Sequence, residues 1–183
     1  MARLNKTVII SSLFILISCS TKFPNQQILG KAFPQIQGES LLKKKVTLPD
    51  LTKGEQAIYL LGFIQKSQFD IDRWLIGLDM HSVSLPIYEI PTIKGLFPRL
   101  ISKKINNGMR KGIPKELWSG VITVYNDGEK LQRFTGNKTP NNARIMLLGP
   151  QGKIIYFNDE GFSIKALNDL IFKINKPNSL QNK

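Results

Sequence analysis

Cysteine is almost missing from this chain of 183 residues, because Cys19 is its only one. A disulfide within the chain is therefore excluded, and so are cysteine zinc sites and dithiol chemistry, which need at least two thiols. Histidine is equally scarce, and a histidine-rich metal centre is excluded because His81 stands alone. A Ser-His-Asp triad would have to use His81, which falls at the end of a predicted helix, where a capping or packing role is expected.

Acidic residues are also few, and none precedes Glu39. The chain has 13 Asp and Glu against 26 Lys and Arg, which gives a net charge of +13, and removing its first 18 residues leaves +11. Such a charge predicts attraction either to anionic membrane headgroups or to nucleic acid. An export signal at the start of the chain argues against nucleic acid, so a membrane is the partner that the charge favours.

The apolar run near the start of the chain, from Val8 to Ser18, is too short to span a bilayer, which takes about 20 residues. Arg3 and Lys6 precede it, and this order is typical of a cleaved secretory signal. Leu16-Ile17-Ser18-Cys19 resembles the bacterial lipobox, in which cleavage leaves Cys19 as the N-terminus with diacylglycerol on its thiol. The alternative is an ordinary signal peptide that ends near a cysteine.

These features divide the chain into a lipoprotein signal peptide at 1–18, a lipidated tether at 19–29, a folded domain at 30–175 and a flexible tail at 176–183. A protein anchored by more than one acyl chain stays on its membrane. We therefore expect a lipid-anchored protein on the exported side of a bacterial cell membrane or outer membrane, and the choice between the two stays open. Since its thiol carries lipid, the domain must be held together by its apolar core.

Hydrophobic patterning predicts alternating strands and helices. A continuous apolar run at 56–64 is typical of a strand buried on both faces, and a helix at 69–81 and a strand at 85–90 follow it, which favours a right-handed crossover. The remaining predicted elements are strands at 120–125, 143–148 and 153–157, a short helical turn at 128–134, a hairpin turn at 149–152, and a last helix at 163–174 with Ile164, Leu167, Leu170, Ile171 and Ile174 on its core face.

A further helix, predicted at 97–109, combines an apolar stripe with basic residues. The stripe comprises Phe97, Leu100, Ile101, Ile105 and Met109. Such a helix either lies on a membrane surface or packs on a sheet, and the second arrangement is the one expected here because it is more common. The basic run at 43–45 is expected to be a solvated turn.

The order of these elements predicts an α/β sandwich with a mixed central sheet and flanking helices, and it resembles the thioredoxin-like superfamily. The stretch 144–154 is similar to a peroxiredoxin and thiol-reductase segment, with Gly149 where those proteins usually have aspartate. A nearer resemblance is to an assembly factor of the mitochondrial ATP synthase and its bacterial relatives. The stretches that carry it are Gly62-Phe63 through Trp74, 88–91, 108–114 and 147–157.

The chain departs from the redox members of that superfamily at the place where they hold their thiol. The resemblance puts a reactive cysteine in the turn after the first core strand, but 65–69 reads Gln-Lys-Ser-Gln-Phe. Disulfide exchange requires sulfur, and an unassisted Ser67 hydroxyl is too weak an acid to replace it. The resemblance also implies a cis-proline near Pro140, displaced by a few residues, and leaves the isomer of the Thr139-Pro140 bond open.

These observations predict a non-redox binding or assembly module for membrane proteins, with no enzymatic activity and no cofactor. Its expected partners are the membrane, through the lipid and through anionic headgroups, and an unidentified protein. One alternative is a thiol-independent envelope enzyme with a cleft near Ser67, Trp74 and Arg144. Another is a purely structural surface lipoprotein. For Arg144, which falls near the position of a peroxiredoxin arginine, a structural or surface ion pair is the expected role.

Overall fold

A computed structural model of the chain describes residues 22–176. The predicted signal peptide, Cys19 and all but the first residue of the predicted tail lie outside these residues. Among the residues described, no helix combines the length and the apolar character needed to cross a bilayer.

The centre of the domain is a mixed sheet of four strands in the order β4-β3-β6-β7. Strand β3 pairs in parallel with β4 and antiparallel with β6, which in turn pairs antiparallel with β7. Every residue of β3 and of β6 is buried, as the continuous apolar run of β3 predicts, and β6 is apolar after Arg144 at its start. The bounds are Ala57–Gly62 for β3, Ile87–Pro91 for β4, Arg144–Leu148 for β6 and Ile154–Asn158 for β7.

A second sheet of three antiparallel strands, in the order β2-β1-β5, continues the first. Its strands are Ile36–Ser40 (β1), Lys45–Leu48 (β2) and Ile122–Thr123 (β5). Parallel bridges from Glu89 to Val121 and from Thr92 to Val124 join β4 to the β5 region. The hairpin of β1 and β2 was not predicted, because both strands are short and polar. The solvated turn predicted at 43–45 is confirmed for Lys43 and Lys44.

Alternate residues of β3 enter two separate cores, one on each face of the sheet. Ile58 and Leu60 face the helices α1 (Gln68–Met80) and α5 (Ile164–Asn175), whose side chains fill the first core. Tyr59 and Leu61 face the second sheet and α4 (Gly128–Thr135). The predicted α/β sandwich with a mixed central sheet and flanking helices is thus confirmed.

Two details of the helices differ from prediction. Leu167 and Leu170 form the face of α5 that packs on the core. Ile164 lies at the margin of that face and is therefore 73% exposed. The helix predicted at 97–109 is broken at Ile101 into α2 (Leu96–Leu100) and α3 (Ser102–Gly112).

The expectation that this region packs its apolar stripe on the sheet is wrong for Phe97 and Leu100, which are exposed, and the rest of the stripe is only half-buried. Helix α2 has no buried residue, and the only buried residue of α3 is Asn106. The most deeply buried residue of α3 is polar: Asn106 accepts a hydrogen bond of 2.8 Å from the Tyr125 hydroxyl, while Ile105 and Met109 are half-buried. The large apolar side chains of α2 are left exposed.

The segment before Gly30 packs on the domain. Phe23 and Ile28 are both buried. The Phe23 N–H donates to Asn137 Oδ1 at 2.6 Å, and the Asn137 N–H donates back to the Phe23 carbonyl at 3.0 Å. Among the residues that the structure describes, packing therefore begins at Phe23, within the segment predicted as a tether.

Candidate functional site

The three residues predicted to line a cleft lie near one end of the two central strands, where β3 ends and β6 begins. Ser67 ends a single 3₁₀ turn, Gln65–Ser67, which links β3 to α1, and Trp74 lies two turns into α1. Arg144 begins β6 and pairs with Leu61 near the end of β3, so the antiparallel register carries it to the same edge. All three side chains are buried, and at this position they fill the interior instead of lining an opening.

Ser67 serves to close the turn before α1. Its hydroxyl donates a hydrogen bond of 2.6 Å to the carbonyl of Ile64. The turn fits closely under β3, because a Cβ at Gly62 would lie 2.6 Å from Ser67 Oγ. His81 caps the other end of the 13-residue helix α1, about 20 Å away at 1.5 Å per residue. Ser67 and His81 therefore cannot form a catalytic pair.

Trp74 belongs to the core between the sheet and the helices α1 and α5. It is fully buried, and its ring meets that of Phe162 edge to face at a centroid distance of 5.4 Å. Its indole Nε1 has no hydrogen-bond partner among the described residues. This environment fits a packing role and does not present the ring to a ligand.

Arg144 is a fully buried cation whose contacts are internal. Its Nη1 donates to the carbonyls of Thr139 and Asn142, at 2.8 and 2.7 Å, and its guanidinium carbon lies 5.1 Å from the ring centre of Phe63. Burial lowers the pKa of Arg144, and the nearby carboxylates of Asp159 and Asp70 oppose that shift. Nε and Nη2 have no hydrogen-bond partner among the described residues. Arg144 thus holds the loop before β6 in place, and the expected ion pair is replaced by carbonyl contacts.

Asp70 is the residue at this edge that sequence reasoning missed. Its two carboxylate oxygens accept hydrogen bonds of 2.8 Å from the backbone N–H groups of Ala143 and Phe162. It therefore ties the start of α1 to the loops that precede β6 and α5. The signal was in the helical spacing, since Asp70 lies four residues before the buried Trp74 on the same helix face.

The isomer of the Thr139-Pro140 bond, which the sequence left open, is defined in the structure. The cis peptide bond of the described residues is Leu48-Pro49, so Thr139-Pro140 is trans.

One cavity, of about 360 Å³, is lined by residues of β1, β2 and the loop before α4, including Gln37 and Asp127. The other, of about 510 Å³, lies beside the 149–152 turn. Neither is lined by Ser67, Trp74 or Arg144.

Metal chemistry finds no support in the described part of the chain. Within residues 22–176, no group of three or more histidine, cysteine, aspartate or glutamate side chains could hold a metal ion. The same residues contain no cysteine. The edge of the sheet where Ser67 and Arg144 lie is therefore a packed structural junction, with hydrogen bonds to backbone groups as its main polar contacts.

Comparison with known proteins supports the fold but not a narrower relationship. No model of a known protein family matches the sequence, and no curated protein matches it. Among solved structures, yeast Sco1 with copper bound superimposes with a TM-score of 0.58 at 12% identity, over 85% of this chain and 99% of that one. BsSco, a member of the Sco family of cytochrome c oxidase assembly proteins, gives 0.55 at 13% identity, over 82% and 95% of the two chains.

A third similar structure is the pneumococcal exposed lipoprotein thioredoxin Etrx1 from Streptococcus pneumoniae. It superimposes with a TM-score of 0.51 at 9% identity, over 76% of this chain and 99% of that one. These likenesses, with the mixed sheet and its flanking helices, show that the chain has a thioredoxin-like fold. The predicted fold is confirmed, whereas membership of the superfamily and the resemblance to the ATP-synthase assembly factor stay predictions.

Proposed function

We propose that this chain is a lipid-anchored, non-redox thioredoxin-like domain on the exported side of a bacterial cell envelope, where it binds membrane proteins or assists their assembly. It is not an enzyme in this proposal and has no cofactor. The observation that carries the proposal is the placement of sulfur. The only cysteine is Cys19, in a lipobox-like sequence before the packed domain, while Ser67 occupies the turn that would hold a reactive thiol.

The environment of Ser67 supports a non-catalytic role for that turn. A nucleophilic hydroxyl needs a base beside it and access to substrate. The Ser67 hydroxyl is buried and donates to the Ile64 carbonyl, and His81 is at the far end of α1. The same burial, shared by Trp74 and Arg144, weighs against the alternative of a thiol-independent enzyme at this position.

The assembly role rests on analogy with other proteins of this fold. BsSco belongs to a family of cytochrome c oxidase assembly proteins, and Etrx1 is an exposed lipoprotein. Fold similarity at these identities does not transfer function by itself. Together with the lipobox-like start and the resemblance to an ATP-synthase assembly factor, these neighbours favour an envelope assembly module over a free-standing structural lipoprotein.

Lipidation is tested by expressing the full chain in a bacterium supplied with a clickable palmitate analogue. We expect the analogue on the wild-type protein, which should also fractionate with membranes, and none on the Cys19→Ala variant. Ser20→Ala is the matched control, since it changes the neighbouring residue and keeps the thiol. An unlabelled wild-type protein in the cytosol would contradict the proposed anchor.

The non-redox assembly role is tested separately. The purified full chain should not accelerate reduction of insulin disulfides by dithiothreitol, and catalysis of that reaction would contradict the proposal. Crosslinking in intact envelopes should recover a membrane protein with the wild-type chain, and that membrane complex should fall in abundance when the gene is deleted. An unchanged set of membrane complexes after deletion would remove the assembly role.

A further inference from the structure

Helix α2 exposes three large apolar side chains side by side. Leu96, Phe97 and Leu100 are 71%, 69% and 76% exposed, and no residue of the helix is buried. Their spacing of i, i+1 and i+4 places them within an arc of about 100° on one side of the helix. Single exposed apolar residues are ordinary, but adjacent ones form a patch of the kind that binds a partner or a membrane.

The chain around this patch is strongly basic. No acidic residue occurs between Glu89 and Glu116, and the interval contains Lys94, Arg99, Lys103, Lys104, Arg110, Lys111 and Lys115. Arg99, Lys103 and Lys104 are exposed. Neither of the salt bridges found among the described residues involves this interval. The patch is therefore flanked by cations that have no carboxylate partner within salt-bridge distance among residues 22–176.

The orientation of α3 is fixed by its polar inner face. Asn106 is held by the Tyr125 hydroxyl, and Arg110 Nε donates to the Leu41 carbonyl at 2.6 Å. In a helix, Lys104 and Lys111 lie on the side opposite Asn106. Both are exposed, so the basic side of α3 points away from the domain.

The start of the packed chain lies beside this surface. Lys94, two residues before α2, places its ammonium 5.6 Å from the ring centre of Phe23. Three residues separate Phe23 from Cys19, and four extended steps reach at most about 14 Å. If Cys19 carries lipid, as the proposed function holds, the base of α2 lies close to the bilayer.

We propose that α2 and the first turn of α3 form a surface that binds anionic bilayers. Leu96, Phe97 and Leu100 enter the boundary between headgroups and acyl chains, while Arg99, Lys103 and Lys104 contact lipid phosphates. A protein surface with apolar side chains surrounded by cations binds well to the headgroup region of an anionic bilayer. The position beside Phe23 favours a bilayer over an acidic protein. The surface adds a second membrane contact that does not require the lipid anchor.

The test uses the full chain with Cys19→Ala, so that an introduced cysteine is the only thiol. Leu100→Cys and the matched control Ile164→Cys, on α5 and 73% exposed, each carry an environment-sensitive fluorophore. The probe at position 100 should become brighter and blue-shifted with phosphatidylcholine vesicles that contain phosphatidylglycerol, and high salt should weaken the response. Pure phosphatidylcholine should give little change. A probe at 100 that responds no more than the probe at 164 would overturn the proposal.

Charge variants separate this surface from the net charge of the protein. Lys103→Gln with Lys104→Gln should weaken binding to the anionic vesicles by roughly 30-fold, from about 1 kcal/mol for each lysine near the surface. Lys153→Gln with Lys173→Gln removes the same charge from exposed positions elsewhere and should leave binding within about threefold. Equal losses in the two variants would overturn the assignment. Because Cys19 is replaced throughout, failed lipidation does not affect this result.

Discussion

The carboxylate of Asp70 accepts a hydrogen bond of 2.8 Å from the backbone N–H of Ala143, 73 residues later in the chain. Its other oxygen accepts from the N–H of Phe162. One buried side chain thus joins α1 to the loops before β6 and α5. The end of the sheet next to the Gln65–Ser67 turn is therefore a junction of structural hydrogen bonds.

Replacing Asp70 with alanine should destabilise the fold by about 3 kcal/mol. The change leaves two N–H groups without their acceptor, and hydrogen bonds to a charged group contribute about 1.5–3 kcal/mol each. Urea unfolding of the full chain measures the loss. Asp72→Ala is the control: Asp72 is exposed, accepts from the Gln68 side chain, and should cost about 0.5 kcal/mol. Similar losses for both variants would show that the Asp70 contacts matter little.

A cysteine placed at position 67 should react slowly with thiol reagents. In the full chain with Cys19→Ala, Ser67→Cys would put a thiol in a buried turn under β3, where reaction requires local opening. An opening free energy of about 3 kcal/mol would slow modification by roughly a hundredfold relative to the protein in urea. Stopped-flow reaction with a disulfide reagent measures both rates. Equal rates in the two conditions would mean that the turn is open.

Gly136→Ala should detach the segment around Phe23 from the domain. Gly136 has a φ of 80°, and a Cβ there would collide with the backbone of Pro24 and Asn25. Hydrogen exchange at the N–H groups of Gln26 and Asn137, which bond to Thr135 and Phe23, should become faster. A loss of about 2 kcal/mol in local stability corresponds to roughly 30-fold faster exchange.

The control for this change is Gly54→Ala, at a φ of 97°, where no atom beyond the adjoining residues lies within 4 Å of the added Cβ. It introduces a similar backbone strain without the collision, so exchange at Gln26 and Asn137 should stay as in the wild type. If Gly136→Ala also leaves both N–H groups protected, the N-terminal segment is not held by this close contact.

Local patterns were enough to predict the centre of the fold. Three features are each visible within a few residues of sequence. They are the apolar run of β3, the helical spacing of Trp74 and Leu78 in α1, and the turn at Gly152, which has a φ of 72°. Their order along the chain then predicted a mixed sheet with flanking helices. Apart from the helix predicted at 97–109, which is broken at Ile101, the predicted elements agree with the observed ones to within a few residues at their ends.

The features that were missed depend on contacts between distant residues. Strand β1 consists of Ile-Gln-Gly-Glu-Ser, which has no clear alternation and is recognisable as a strand only through its partners β2 and β5. The apolar stripe of α2 gave no sign of being exposed, because that depends on Asn106 and Tyr125 taking the inner position. The role of Asp70 likewise depends on two N–H groups far along the chain.

The last prediction concerns Glu89, in β4. Burial raises the pKa of Glu89, a hydrogen bond with the Gln68 side chain partly opposes this shift, and the nearby Asp72 adds to it. The folded state therefore holds the Glu89 proton more tightly than the unfolded state, so keeping the carboxylate charged costs stability as pH rises through the folded-state pKa. Glu89→Gln removes this cost, and the variant should be more stable than the wild type at about pH 7. Its advantage should vanish below the ordinary glutamate pKa of about 4.3, where both states of the wild type are protonated.

Urea unfolding at several pH values measures the difference, with Glu129→Gln as the contrasting control. The pKa of Glu129 is lowered by its hydrogen bond to Arg133, so that variant should lose stability at neutral pH. If Glu89→Gln is less stable than the wild type at neutral pH, the charged carboxylate stabilises the fold and the argument from burial is wrong.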